Sequence, residues 1–171
     1  MSILVFDATT LIHLGKLDLL KLFKDLDHEL LLPMRIYEEI VLKGKQKGLL
    51  DAIKVEKAIS DGIIKVLDVK EGEIHERLSS NNSLSKGDLD VIELACSRDG
   101  ITIIDESYGR AVCSIEKVRN KGSIWVLNQL IISRSITKEE AIFYLDKMIE
   151  NGWYCSTVLY SKAIKHFEGR S

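Results

Sequence analysis

Ile3-Leu4-Val5-Phe6-Asp7-Ala8-Thr9-Thr10 sets four apolar residues directly before a lone carboxylate and two hydroxyls. An apolar run without alternation is the pattern of a strand covered on both faces, the condition of a parallel strand inside an α/β sheet. In open sheets of that kind ligands collect just past the carboxyl ends of the strands, and Asp7 stands at such an end. Asp7, Thr9 or Thr10 could equally cap the helix that begins here, since these residue types satisfy free helical N–H groups. The rest of the chain has to decide between the two.

Downstream, Leu11, Leu14, Leu17, Leu20, Leu22 and Phe23 recur at helical spacing over Thr10 to Lys24, with Gly15 as a break. Glu29 to Pro33 reads as a second strand, and Pro33 opens a helix over Met34 to Lys43 where its missing N–H costs little. The basic stretch 44–48 reads as a mobile loop. A helix from Leu49 to Ser60, stopped by Asp61-Gly62, leads into a strand over Ile63 to Val66. A short helix over Glu71 to Leu78 and a polar loop at 79–83 precede a helix from Ser85 to Arg98. Ile101 to Ile104 is then a strand that ends in Asp105-Glu106, and the opening pattern has returned. Helix over Tyr108 to Ser114, a weak edge strand over Ile115 to Val118 and a helix from Ser123 follow. Thr137-Lys138-Glu139-Glu140 is a capping box for a helix that ends near Asn151-Gly152, and a last helix covers Ser156 to Phe167. Strands alternating with helices predict a parallel sheet with helices on both faces, because parallel crossovers need a connecting element. The expectation is one α/β domain over residues 1–171, with 123–171 as structural helices.

A chain of 171 residues, 46% hydrophobic and 29% charged, suits one globular domain, and a formal charge of −2 gives no global basic footprint. Nucleic-acid binding, if present, must be local. The cysteines Cys96, Cys113 and Cys155 are odd in number and lack ligand spacing, and no cleavable leader is visible, so a reducing, cytoplasmic setting is expected. No apolar run nears the roughly 18 to 20 residues that span a bilayer, which excludes a membrane protein of that type.

The acids carry the functional signal. Asp88 shares a helix face with Ile92 and Ala95, so it points toward the protein, although Ser85 and Asp88 also make a capping box. Asp90, Glu93 and Ser97 form a separate polar stripe that reads as a solvated face. Glu39 lies nearer the packed side of its helix than Glu38, while periodicity does not separate Asp105 from Glu106. Asp7, Glu39, Asp88 and Asp105 or Glu106 are thus delivered to one rim, where crowded carboxylates need a cation. Oxygen-only ligation favours Mg²⁺ or Mn²⁺ over zinc, and His13, His28, His75 and His166 lack ligand spacing. Neither of the glycine-rich phosphate-binding loops occurs.

Val5-Phe6-Asp7-Ala8-Thr9-Thr10-Leu11-Ile12, Ile36-Tyr37-Glu38-Glu39-Ile40, the helix Leu84 to Ala95 and Ile103-Ile104-Asp105-Glu106 with Arg110 together resemble the PIN-domain family of metal-dependent ribonucleases. The likeness covers about the first 120 residues, and Gly87-Asp88-Leu89-Asp90-Val91-Ile92-Glu93-Leu94-Ala95 looks most like the branch related to VapC toxins. It implies a Rossmann-like sheet, Asp7, Glu39, Asp88 and Asp105 around Mg²⁺ or Mn²⁺, Thr9, Asp90 and Glu106 in support, a homodimer and, for a toxin, a small antitoxin partner. Ile104 stands where the family usually has Thr, and Glu106 where it has Asp.

For an RNA substrate, Lys43, Lys45, Lys47, Lys86 and Arg110 are the candidate phosphate contacts, though lysines of this kind commonly just face water. Arg110 can grip a phosphate as a fork or pair with Glu106. An aspartyl-nucleophile phosphatase would want an acid two residues after Asp7, where this chain has Thr9. The remaining rival is a non-catalytic α/β module that binds a partner through a degenerate acidic pocket.

Overall fold

The opening stretch forms β1, Ser2–Phe6, and it runs through the middle of the sheet with Leu4, Val5 and Phe6 all at 0% exposure. The structure is a computed structural model that describes residues 1–169. Five strands pair in the order β3-β2-β1-β4-β5, every pair parallel, with Val5 opposite Leu31, Phe6 opposite Ile103 and Ile103 opposite Lys121. The other strands are β2 His28–Pro33, β3 Lys65–Leu67, β4 Ile101–Ile103 and β5 Arg119–Lys121.

This strand order places the site. From β1 the chain builds outward through β2 and β3, then returns to add β4 and β5 on the other side. The connections leaving β1 and β4 therefore diverge, and a crevice opens between the carboxyl ends of these two strands. Asp7 follows β1 and Asp105 follows β4, and the Asp7 N–H donates to Ile103 O across the gap at 3.2 Å.

Helices α1 Ala8–Lys16, α2 Met34–Tyr37, α3 Lys43–Gln46, α4 Leu50–Ser60, α5 Glu73–Leu78, α6 Lys86–Ser97 and α7 Ser107–Ile115 connect the strands. A π-helical segment, Glu38–Leu42, joins α2 to α3. The chain closes with α8 Ser123–Ile132, α9 Lys138–Glu150 and α10 Thr157–Phe167, which pack on one another. One core runs through all of this: Phe6 stacks on Phe23 at 5.7 Å, and Leu11, Ile92, Leu127, Leu145 and Phe167 belong to the same cluster. Among the described residues no helix is long and apolar enough to cross a membrane.

Several local expectations change. The first helix stops at Lys16, because Asp18 takes a left-handed conformation (φ 58°) and the leucines that follow form a 3₁₀ helix over Leu20–Asp25. The stretch 44–48 is not a free loop: a Cβ on Gly44 would lie 2.7 Å from Ala52 Cβ, so α3 is clamped on α4. The strand predicted at 63–66 forms instead at Lys65–Leu67. The edge strand predicted at 115–118 forms at Arg119–Lys121, while Ile115 ends α7 at 76% exposure. An edge strand pairs on one side only, so its own polar side chains can face water and apolar patterning does not mark it.

Candidate active site

Asp7 is the centre of the arrangement. It ends β1, caps α1, accepts from the Thr10 N–H at 2.9 Å and is 4% exposed. Burial pushes its carboxyl up to about 7, and the charges of Asp105 and Asp88 push the same way, against the opposing hydrogen bonds of Thr10. Capping and chemistry, alternatives in the sequence, coexist here. The supporting residue is Thr10, fully buried, whose hydroxyl also accepts from the Asp105 N–H at 3.2 Å. Thr9, expected in that role, is exposed and lines a neighbouring cleft. An Asp followed three residues later by a donor N–H is the ordinary capping offset, so Thr10 could have been read from the sequence.

Glu39, on the connection after β2, is exposed and stands beside the first turn of α6. A Cβ on Gly87 would lie 2.7 Å from Ile36 Cδ1, so the missing side chain lets Ile36 pack against the start of α6, and Glu39 Oε2 stands beside the same turn, 3.7 Å from that position. The helix N-terminus favours a negative charge there. Asp88 occupies that same first turn and completes the capping box: its carboxylate accepts from the Ser85 N–H at 2.8 Å and its own N–H donates to the Ser85 hydroxyl oxygen at 3.1 Å.

The structure separates Asp105 from Glu106. Asp105 accepts from Ser123 N–H at 2.7 Å, the Ser123 hydroxyl at 2.6 Å and Trp153 Nε1 at 3.0 Å, which occupies three of the about four lone-pair positions of a carboxylate. A Cβ on Gly122 would meet Asp105 Oδ1 at 2.7 Å, so glycine is what admits this contact. Glu106 turns the other way and caps α7, accepting from Tyr108 N–H at 2.9 Å and Gly109 N–H at 2.6 Å. Of the pair, it is the charge of Asp105 that bears on Asp7.

Asp90, expected in support beside Asp88, and Glu93 do not face water. Both are buried under α5: Asp90 bonds Arg35 Nε at 2.9 Å and His75 Nε2 at 2.7 Å, and Glu93 accepts from the N–H groups of Ile74 and His75 and faces His75 Nδ1 at 3.2 Å. Asp90 and Glu93 are thus held in an internal hydrogen-bonded network with His75 and Arg35, while Ser97, the third member of the stripe, is exposed. Sequence periodicity shows that a face is polar but not that another helix covers it. Lys45 is paired with Glu56 at 2.7 Å, Lys43, Lys47 and Lys86 are exposed, and Arg110 donates to Asn120 Oδ1 at 3.2 Å rather than to Glu106.

The donor set fits a hard divalent cation, because every candidate ligand is a carboxylate oxygen and a buried carboxyl with two acid neighbours gains most from one. As the side chains stand, no three His, Cys, Asp or Glu among the described residues are close enough together to hold an ion. Asp105 and Asp88 stand close enough for their charges to bear on Asp7, and Glu39 stands beside the turn that holds Asp88.

Beside the acids opens a cleft of about 870 Å³ that sequence reading missed. Asp105, Glu106, Arg110 and Lys121 line one part of it, and Trp125, Trp153, Tyr154, Leu159 and His166, from the closing helices and their loops, line another. His13 lines it too; its Nδ1 is buried without a partner, and burial, then Lys16, holds its imidazole below the ordinary value against the pull of Asp105. The one sequence signal was the adjacent aromatic pair Trp153-Tyr154 just after Gly152.

A family model described as a PIN domain matches residues 3–169, almost the whole described chain. The chain belongs to the PIN-domain family. Among curated proteins no match is found. PIN domains are generally nucleases, act on RNA and typically bind divalent metals. In this PIN domain the match takes in the closing helices, beyond the first 120 or so residues where the sequence resemblance lay.

Proposed function

We propose that this PIN domain is a Mg²⁺- or Mn²⁺-dependent endoribonuclease that hydrolyses RNA phosphodiester bonds at the rim of Asp7, Glu39, Asp88 and Asp105. The observation that carries the reading is Asp7: a carboxyl buried at the switch point of the sheet, pushed up to about 7 by burial and by two further acids. A fold retains such an arrangement at a cost that a cation removes.

Asp7, Glu39, Asp88 and the free lone pair of Asp105 are the groups that would hold the ion, with Thr10 orienting Asp7. When bound, the ion supplies a Lewis acid and neutralises charge on a phosphodiester. Arg110, at the cleft edge, offers a planar fork to a phosphate and steers the strand to the acids. His13, neutral at pH 7 by the direction of its shift, adds no charge beside the incoming backbone.

Two settings suit this chemistry. One is RNA processing; the other is the toxin of a toxin–antitoxin pair, in which a small antitoxin presents an Arg or Lys to the rim. Three free cysteines accord with a reducing cytoplasm, and the toxin-like branch accords with a homodimer.

The test is cleavage of a mixed RNA pool with Mn²⁺ and then with EDTA. Wild type should cleave only with metal. Asp7→Asn and Glu39→Gln should each lose about 100-fold or more, the scale of removing one preorganised electrostatic group. Glu38→Gln, likewise exposed but without Glu39's place beside the first turn of α6, should lose far less. RNA binding with no cleavage under either condition favours the partner-binding module instead, and cleavage that persists in EDTA refutes the metal-dependent reading.

A further inference from the structure

The cleft beside the acids has a chemistry of its own. Trp153, 8% exposed, is fixed in its wall by the Nε1 bond to Asp105 at 3.0 Å, so the cleft and the acid rim share a residue. The next residue, Tyr154, lines the same cleft with 85% of its surface in water. Arg110 and Lys121 line it as well. An exposed aromatic ring in a cleft that two cations also line matches a flat ring that carries a phosphate. A volume of about 870 Å³ is within the range of sites that enclose small ligands, and suits one or two nucleotides.

Resting on the ribonuclease reading, we propose that this cleft is a nucleobase subsite, in which an unpaired base next to the scissile phosphate stacks on Tyr154 while its backbone phosphate lies on Arg110 and Lys121. In a duplex the bases are stacked on one another and their faces are unavailable, whereas a loop or free end can splay one out. Stacking is tolerant of base identity because every base has a π-face, so the subsite accepts any unpaired base. Trp125 serves less well as the platform, since its ring already leans on His28 at 5.7 Å.

Two measurements test this, made on the full chain. Fluorescence anisotropy in EDTA compares a labelled single-stranded oligouridine with the same strand carrying abasic residues, and a Mn²⁺ cleavage assay runs in parallel. For wild type, removing the bases should weaken binding by roughly 5- to 100-fold, the scale of one lost stacking contact. Tyr154→Ala should lose the same factor on the base-bearing strand and no longer distinguish the two strands, while Tyr154→Trp restores the preference. Unchanged melting of the variants separates this from a folding effect. If Tyr154→Ala binds both strands as wild type does, or wild type does not distinguish them, the subsite is overturned. Cleavage without that Tyr154 dependence refutes the subsite alone. Absence of cleavage by wild type refutes the ribonuclease reading, and the anisotropy still judges the subsite.

Discussion

Asp7→Asn in metal-free protein isolates the cost of the buried charge. Asp7 is 4% exposed and its carboxyl rises from 3.8 to about 7. With the folded value above the unfolded one, the unfolded chain releases its proton first. The penalty on folding is thus present at high pH and disappears as pH falls toward the unfolded value. Linkage puts it at about 4 kcal/mol at pH 8, roughly 2 kcal/mol at pH 5 and near zero below about pH 3.5. Asn keeps an oxygen to accept the Thr10 N–H and carries no charge. Urea denaturation in chelator should therefore show the variant more stable than wild type at pH 8, by up to that amount, with the margin about halved at pH 5. Mn²⁺ should narrow the margin and then reverse the order: wild type gains about 2.7 kcal/mol at a hundred times Kd and about 4.1 kcal/mol at a thousand times Kd, so metal above that level overcomes even the full margin, while the variant, short of a ligand, gains much less. A margin that does not change with pH would refute the reasoning. So would a variant less stable than wild type at pH 8, which would make Asp7 a cap whose charge the fold uses.

Titration calorimetry with Mn²⁺ should show Asp105→Asn binding metal markedly more weakly than wild type and Glu106→Gln binding it as wild type does; the reverse pattern moves the fourth ligand. Glu106→Ala should destabilise the protein by about 1 kcal/mol, the cost of a lost helix cap, read by urea denaturation. His75→Ala removes the bridge between Asp90 and Glu93 and leaves Glu93 without its side-chain partner, so a loss of about 3 kcal/mol is expected in the same assay; a change near zero would show the network to be energetically neutral.

The parallel sheet was readable because its cause is local. Leu4, Val5 and Phe6 can be apolar without alternation only if both faces of the strand are covered, and the helical stretches between strands require crossovers. The caps were readable for the same reason: Asp7, Ser85 and Thr137 each bond an N–H three residues on. From strand ends and helix faces, Asp7, Glu39, Asp88 and the Asp105-Glu106 pair could be named.

Tertiary contact decided the rest. Asp105 and Glu106 are adjacent in sequence and identical to a periodicity argument, and they differ only because Gly122 and Trp153 approach one while the first turn of α7 takes the other. Asp90 and Glu93 look like solvated positions until α5 covers them with His75. Arg110, Lys121 and Tyr154 meet at one cleft although they lie in different segments of the chain. Each of these outcomes depends on which distant atom supplies a donor, a charge or a wall. A sequence specifies its own hydrogen-bonding groups and apolar faces residue by residue, but the partner that meets each buried group is chosen only when the whole chain has packed.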